Sequence, residues 1–480
     1  MAGYFRAKDP QGPRELSNDS TLRIKAKKMA DRPDHEFDGY LCTSDGQKLL
    51  CDIQIWLPRE PSVDAALQVI VMGANAHEVF HRGLVTLTSE ETVEAAGLRF
   101  EAKEVLIRGS TSLAHPRRAG GTNLTFTHVG SWLIETSFRD GGKDEAQSGN
   151  SESSIDSLVF ILSAIEYALP RHGSIVDYRG NRTIKELRPP KMLSMERASD
   201  HILCEWELQR HWHWLKDQRN KASATSFPVL CLRDARERHA ETSLEELSRM
   251  ADDACVILTL AARHRVVVHT VRSSSKTRQV EEWRNPLLRQ RAVTEEEASG
   301  PLVAESDIEA YFAHVARWWD GLDAPRKDAV RLAIFASNPL TKITLEAEFL
   351  SRFSALEGLV KHWGDEKGSL QKRTEAMLQV FPPRIGGLWA LFDKTNGEPL
   401  YWIRNELAHG RSVMRFAAGA LPLANDHLQL WLEHILLALA GYIHHRHRDD
   451  WLSNQVIPQR DYALNLAKEL RKQAKTTVAE

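Results

Sequence analysis

Between residues 36 and 138 the apolar positions come in short bursts. LLCDIQIWL (49–57), LQVIVMG (67–73), LVTLT (84–88), LRFEAKEVLI (98–107) and NLTFTHV (123–129) are separated by turn-forming residues, among them Ser-Asp-Gly at 44–46 and Ala-Gly-Gly at 119–121. Within CDIQIW and LTFTH, apolar and polar side chains alternate with a period of two. That alternation predicts antiparallel strands with one buried and one solvated face. The next segment, RDGGKDEAQSGNSESS (139–154), is almost free of apolar side chains and reads as a linker.

Beyond the linker the period changes. SIDSLVFILSAIEYAL (154–169) reads as a helix, and SLEELSRMADDACVILTLAAR (243–263) as another, opened by a Ser-x-x-Glu capping box. RVVVHTV (265–271) reads as a strand, and RASDHILCEWELQRHWHWL (197–215) fits neither pattern cleanly. From about 305 onward the chain is helical, with segments at 307–319, 327–337, 340–363 and 369–380. The helix at 340–363 carries Phe349, Phe353, Leu356, Val360 and Trp363 at steps of three and four, which makes one apolar stripe. LWALFDKTNG (388–397) reads as a short helix and turn. Pro399 follows in the position of a helix N1 proline, and a helix then runs to Gly410. A last long helix is expected over 425–448, capped by Asn425 or Asp426.

The expected class is therefore α+β and multidomain. It comprises a polar arm (1–35), a β-rich region (36–138), the linker (139–154), a mixed region (155–334) and an all-α bundle (335–475). A chain of 480 residues is long enough for two or three such units. A formal net charge of -2 provides no global field for nucleic acid, so any RNA contact must be a local basic patch. The N-terminal residues contain no apolar signal core, and no apolar run approaches the roughly 20 residues of a membrane helix. The five cysteines are widely spaced without a CxxC pair. A cytoplasmic protein with reduced thiols and no membrane association is expected.

The stretch IRNELAHG (403–410) concentrates candidate chemistry. Arg404 and His409 form an R-x4-H spacing. Spacing alone is weak, since Arg233–His239, Arg263–His269 and Arg108–His115 have similar separations among 20 histidines. On a straight helix residues five apart also diverge by roughly 140°. The two side chains converge only if the helix ends or bends between them, or if a second chain completes the site. Gly410 provides such an end. HWHW (211–214) is a lesser candidate for a metal edge or a base-stacking platform. HHRHR (444–448) suits a helix C-terminus and adds local positive charge. His264 and His269 read as packing residues.

The string R-N-E-L-A-H-G, about 45 residues after SALEGLV (354–360), resembles the HEPN superfamily, in particular its ApeA-like branch. There an R-N-x-L-A-H-G helix follows a helix with an A-L-E signature. The resemblance spans about 335–475, and the β-rich region more loosely resembles the N-terminal part of ApeA-type abortive-infection proteins. It implies an all-α HEPN bundle of four or five helices that forms a homodimer, with two R-x4-H elements facing one cleft. The implied activity is metal-independent RNA cleavage with no cofactor, tRNA being the substrate class the family suggests. The implied setting is anti-phage defence, with the N-terminal region sensing a phage-derived trigger. Carried over, Arg404 neutralises the phosphate, His409 acts as general acid or base, Asn405 positions the phosphate or the histidine, and Glu357 orients Arg404.

Two other classes remain open at this level. One is a non-catalytic dimeric binding or scaffold protein with a degenerate bundle. The other is an enzyme that acts on a nucleotide rather than a polymer.

Overall fold

The computed structural model describes residues 33, 35–44, 46–56, 66–72, 84–95, 97–113, 121–128, 131–137, 157–162, 172–176, 182–186, 191–197, 202–216, 222–232, 244–274, 278–284, 301–339, 344–364, 367–410, 419–442 and 457–479. The polar arm up to residue 32, including the basic run RIKAKK (23–28), the linker at 139–154 and HHRHR at 444–448 lie outside these residues.

The period-2 bursts form strands as expected: β1 (His35–Cys42), β2 (Lys48–Trp56), β3 (Ala66–Met72), β4 (Leu84–Ser89), β5 (Leu98–Leu113), β6 (Gly121–His128) and β7 (Ser131–Ser137). They pair in the order β5-β4-β1-β2-β3-β6, and β6 pairs back onto β5, so six antiparallel strands close into a ring. Closure pairs strand edges that an open sheet would leave exposed. The 16-residue β5 makes closure possible. Its first half pairs with β7 and its second half with β6, and the register shifts between Leu106 and Gly109 where the partner changes. Such bulges bend a strand. The ring buries Leu41, Cys51, Ile53, Val69, Val71, Leu87 and Phe100, from strands β1 to β5.

The sheet continues from β7 through β15 (Arg278–Arg284), β14 (Val268–Ser274), β8 (Ser157–Leu162), β13 (Ala222–Leu232) and β12 (Ile202–Lys216) to β11 (Lys191–Arg197), while β9 (His172–Val176) and β10 (Arg182–Glu186) pair as a separate two-stranded sheet. The helix expected over 154–169 is thus corrected at β8. SLVFIL is a strand held between β13 and β14, and a short continuous apolar run suits such an interior strand. The ambiguous RASDHILCEWELQRHWHWL stretch supplies β12 and carries HWHW, paired with residues 224–227 of β13. One face of this half-sheet packs on helix α2 (Leu244–Ala262; the short helix Glu91–Ala95 is α1). Phe160 meets Trp206 edge-on at 5.3 Å, and the Cys204 thiol sits 3.5 Å from the Met250 sulfur.

The C-terminal region is helical: α3 (Ile308–Asp320), α4 (Ala324–Ser337), α5 (Leu345–Trp363), α6 (Leu370–Val380), α7 (Leu400–Ala408), α8 (Ala420–Leu439) and α9 (Ile457–Ala479). Side-chain caps set several starts. Asp323 accepts from the Arg326 amide, Thr344 from Ala347 and Ser369 from Lys372. One continuous apolar core runs from Leu158 on β8 to Leu470 on α9, so the half-sheet and the helices share an interior.

Three helix expectations change. LWALFDKTNG is not helical, because its backbone is used elsewhere. The Trp389 amide donates to His427 Nδ1, while Ala390 and Leu391 carbonyls accept from Leu400 and Tyr401. Pro399 is the N-cap residue of α7 rather than N1. Helix α8 starts after Gly419, which is left-handed at φ 86°, and it ends at Leu439. Asn425 is therefore interior to α8, where its side chain accepts from Arg352 and donates to the Leu345 carbonyl.

Helix α8 is apolar nearly all round yet buries charge. Glu433 is fully buried and accepts from Arg263 and from Gln429. Arg263 follows α2 in a left-handed conformation, φ 56°. Arg352 on α5, also buried, reaches Gln429, Asn425 and the carbonyls of Ala336 and Ser337, and pairs with Glu348 at 2.6 Å. Removing one partner strands a buried charge. Glu433→Ala is expected to lower stability by about 3–5 kcal/mol, read from denaturant unfolding of the full chain. A loss under about 1 kcal/mol, the value of an exposed pair, would show that the pair holds nothing together.

Candidate functional site

Helix α7 has nine residues, and its position is set from outside. Leu400 and Ile403 are fully buried. Tyr401 packs between Phe353, centroids 6.1 Å apart, and Phe392, at 5.3 Å. The segment before it is tied down on both sides. Trp389 Nε1 donates to the Glu398 carbonyl, Trp431 Nε1 donates to the Trp389 carbonyl, and Arg471 on α9 donates to the Gly397 carbonyl. Gly397 is at φ 144°, and a Cβ there would sit 2.5 Å from the Ala467 backbone, so only glycine fits this crossing.

With α7 so placed, Arg404 faces α5. Its guanidinium pairs with Glu357 Oε1 at 3.0 Å and donates to Asn405 Oδ1 at 3.3 Å. Three of the four predicted residues are thereby in contact. The Arg404 and Glu357 side chains are each about one-third exposed, 33% and 31%, so the cation is oriented without being removed from solvent.

His409 is the C-cap of α7. Its amide donates to the Asn405 carbonyl, and Gly410, at φ 73°, donates to the Leu407 carbonyl. The helix thus ends between Arg404 and His409, as convergence would require. The ring of His409 is exposed, and among the described residues it makes no hydrogen bond to the other three. A single chain therefore supplies an oriented arginine and, at the same helix end, an open imidazole.

This arrangement can bind an anion at the free face of a half-engaged arginine and transfer a proton beside it. The cavity of about 170 Å³ lined by Phe381, Pro382, Leu437 and the buried His434 contains none of the four residues. HWHW lies on β12, His264 precedes β14 and His269 lies on it.

The supporting residues were not legible in the sequence. Arg471 and Trp431 touch the 389–399 segment across 74 and 42 residues of chain, and no local pattern announces such pairs. No protein-family model matches the chain, and no curated protein or solved structure matches it.

Two measurements follow from this geometry. Glu357→Ala is expected to cost under about 1 kcal/mol of stability, since the pair is part-exposed, and circular dichroism melting reads it directly. A larger loss would make Glu357 a structural residue. The second concerns His427, buried on α8, whose Nδ1 must stay unprotonated to accept from Trp389. Burial lowers its pKa to about 4. The unfolded chain takes up that proton near pH 6.5 and the folded chain does not, so stability falls as pH drops from about 6.5 toward 4. The full effect is at most roughly 3 kcal/mol. His427→Asn, whose amide oxygen can accept in place of Nδ1, is expected to flatten that part of the stability–pH curve; an unchanged curve assigns the pH dependence elsewhere.

Proposed function

We propose that the chain is a regulated, metal-independent RNA endonuclease with a HEPN-type bundle, acting in anti-phage defence by abortive infection. The observation that carries this reading is the Glu357–Arg404–Asn405 contact on a short helix that ends at an exposed His409. The R-N-E-L-A-H-G string and the A-L-E segment, which resemble the ApeA-like branch, meet through the Arg404–Glu357 pair, which supports the reading.

The chemistry is an internal transfer. The ribose 2′-oxygen attacks the adjacent phosphorus, the 2′-O–P bond forms and the P–O5′ bond breaks. His409 takes the 2′-hydroxyl proton, and an acid returns a proton to the leaving 5′-oxygen. The products are a 2′,3′-cyclic phosphate and a 5′-hydroxyl end. The nucleophile is already part of the substrate, so no activated water is needed. Arg404 faces the extra negative charge of the pentavalent phosphorus with its planar fork. Glu357 and Asn405 fix the fork beforehand, which removes reorganisation from the reaction step. The second proton-transfer group is His409 of a second copy, which makes the active species a homodimer. The substrate is RNA, with tRNA the class suggested by resemblance.

An unrestrained ribonuclease would harm its own cell, so the large sheet region serves as sensor for a phage-derived trigger. The apolar core continuous from β8 to α9 supports this, since a change in the half-sheet reaches the bundle through packed side chains.

The decisive test is the total-RNA profile of bacteria that express the full chain, before and after phage challenge, with His409→Ala and Arg404→Ala alongside. Wild type is expected to yield discrete fragments. Each variant is expected to lose roughly 10²–10⁴-fold in cleavage while retaining its unfolding midpoint. Fragment patterns shared by all three proteins would exclude both residues from the chemistry. Identical intact profiles from soluble dimers under a panel of phages would favour the binding-module reading.

A further inference from the structure

The proposed ribonuclease needs more than one cation to hold a polyanion, and the chain as a whole provides no positive field. The packing of α7 on α5 shows where the next cation lies. Phe353 meets Tyr401, and one turn on, Glu357 meets Arg404. The two helices therefore run in the same direction along this contact. A further turn, about 5.4 Å along the axis, brings Lys361 on α5 to the level of Ala408 and His409, where α7 ends. Lys361 is exposed, and among the described residues it makes no ion pair. Its helical neighbour Glu357, four residues back, is already engaged by Arg404.

Among the described residues, nothing covers the Gly358 position of α5. Gly358 and Lys361 share a face of α5 at a spacing of three, and a Cβ built on Gly358 meets nothing within 4 Å. Glycine in the middle of a 19-residue helix weakens it relative to alanine, and among the described residues no packing contact accounts for its presence. A bare helix face beside an oriented arginine lets a sugar-phosphate strand approach closely.

We propose that Lys361 binds the phosphate adjacent to the scissile one, so that a single RNA strand crosses α5 at Gly358 with successive phosphates on Arg404 and Lys361. This rests on the ribonuclease reading above. Lys361 is here a substrate-positioning residue. It contacts the substrate before and during the reaction alike, and therefore contributes to binding rather than to the chemical step. A lysine in the last turn of α5 also suits the helix dipole, and that role alone would move stability and leave RNA binding untouched.

The test uses the full chain carrying His409→Ala, which holds RNA without consuming it, and a labelled, short, mixed-sequence single-stranded RNA. Binding is followed by fluorescence anisotropy across a salt series. Adding Lys361→Gln is expected to weaken binding several-fold at low salt and to reduce the slope of log K against log salt by about 0.7, the value for one phosphate contact on a single strand. Lys361→Arg is expected to restore the slope. In the otherwise wild-type chain, Lys361→Gln is expected to raise KM with kcat preserved. Tight binding with an unchanged slope in Lys361→Gln overturns the assignment and leaves the ribonuclease reading standing. No RNA binding by the His409→Ala chain at any salt overturns both.

Discussion

The arrangement of this molecule depends on charge buried where helix α8 crosses its neighbours. Glu433 has no access to solvent and, among the described residues, is satisfied by Arg263 and Gln429. Arg352, buried alongside, is satisfied by α8 and by the carbonyl end of α4. Apolar contacts tolerate sliding, because many offsets bury similar area. A buried ion does not, because an offset of one residue leaves it unpaired. The network therefore specifies how the end of α2, which packs on the half-sheet, meets α5 and α8.

Helix α5 connects this constraint to the candidate site. Its inward face carries Arg352 and the aromatic and aliphatic residues of the core. Glu357 stands just over one turn later at the edge of that face and meets Arg404. What locks α5 to α8 thus also determines where the Glu357 carboxylate stands. On the other side, α7 is positioned by the non-helical 389–399 segment, whose amides and carbonyls are taken by His427, by α7 and by α9. The arginine is held from two directions by structure that is itself held from several.

The proposed activity follows a consistent division of labour. The buried, satisfied charges determine placement, and the part-exposed ones are left to meet a substrate. Arg404 is oriented by neighbours yet part-exposed, and His409 is exposed at the helix end. Lys361 extends the same surface by one turn. A polyanion bound in this way would be held by a few positioned cations on a chain whose net charge is close to zero.

Much of this was legible in the sequence. Period-2 alternation in CDIQIW and LTFTH marked strands β2 and β6, because a strand with one buried face must alternate. The stripe from Phe349 to Trp363 marked α5, because a helix covering a core repeats every three or four residues. Glu357 beside Arg404 was also anticipated, through the A-L-E and R-N-E-L-A-H-G strings. The failures have physical causes. SLVFIL is apolar throughout although only Leu158, Phe160 and Leu162 are fully buried and Val159 is half-buried, so its sequence did not show the alternation of its burial; LWALF gave up helical hydrogen bonds for partners ten to 42 residues away. The ring closure through β5, the burial of Arg352 and Glu433, and the seating of α7 by Trp389, His427 and Arg471 were decided only by tertiary structure. Each depends on groups that are distant in the chain, and a buried charge differs from an exposed one only in what surrounds it.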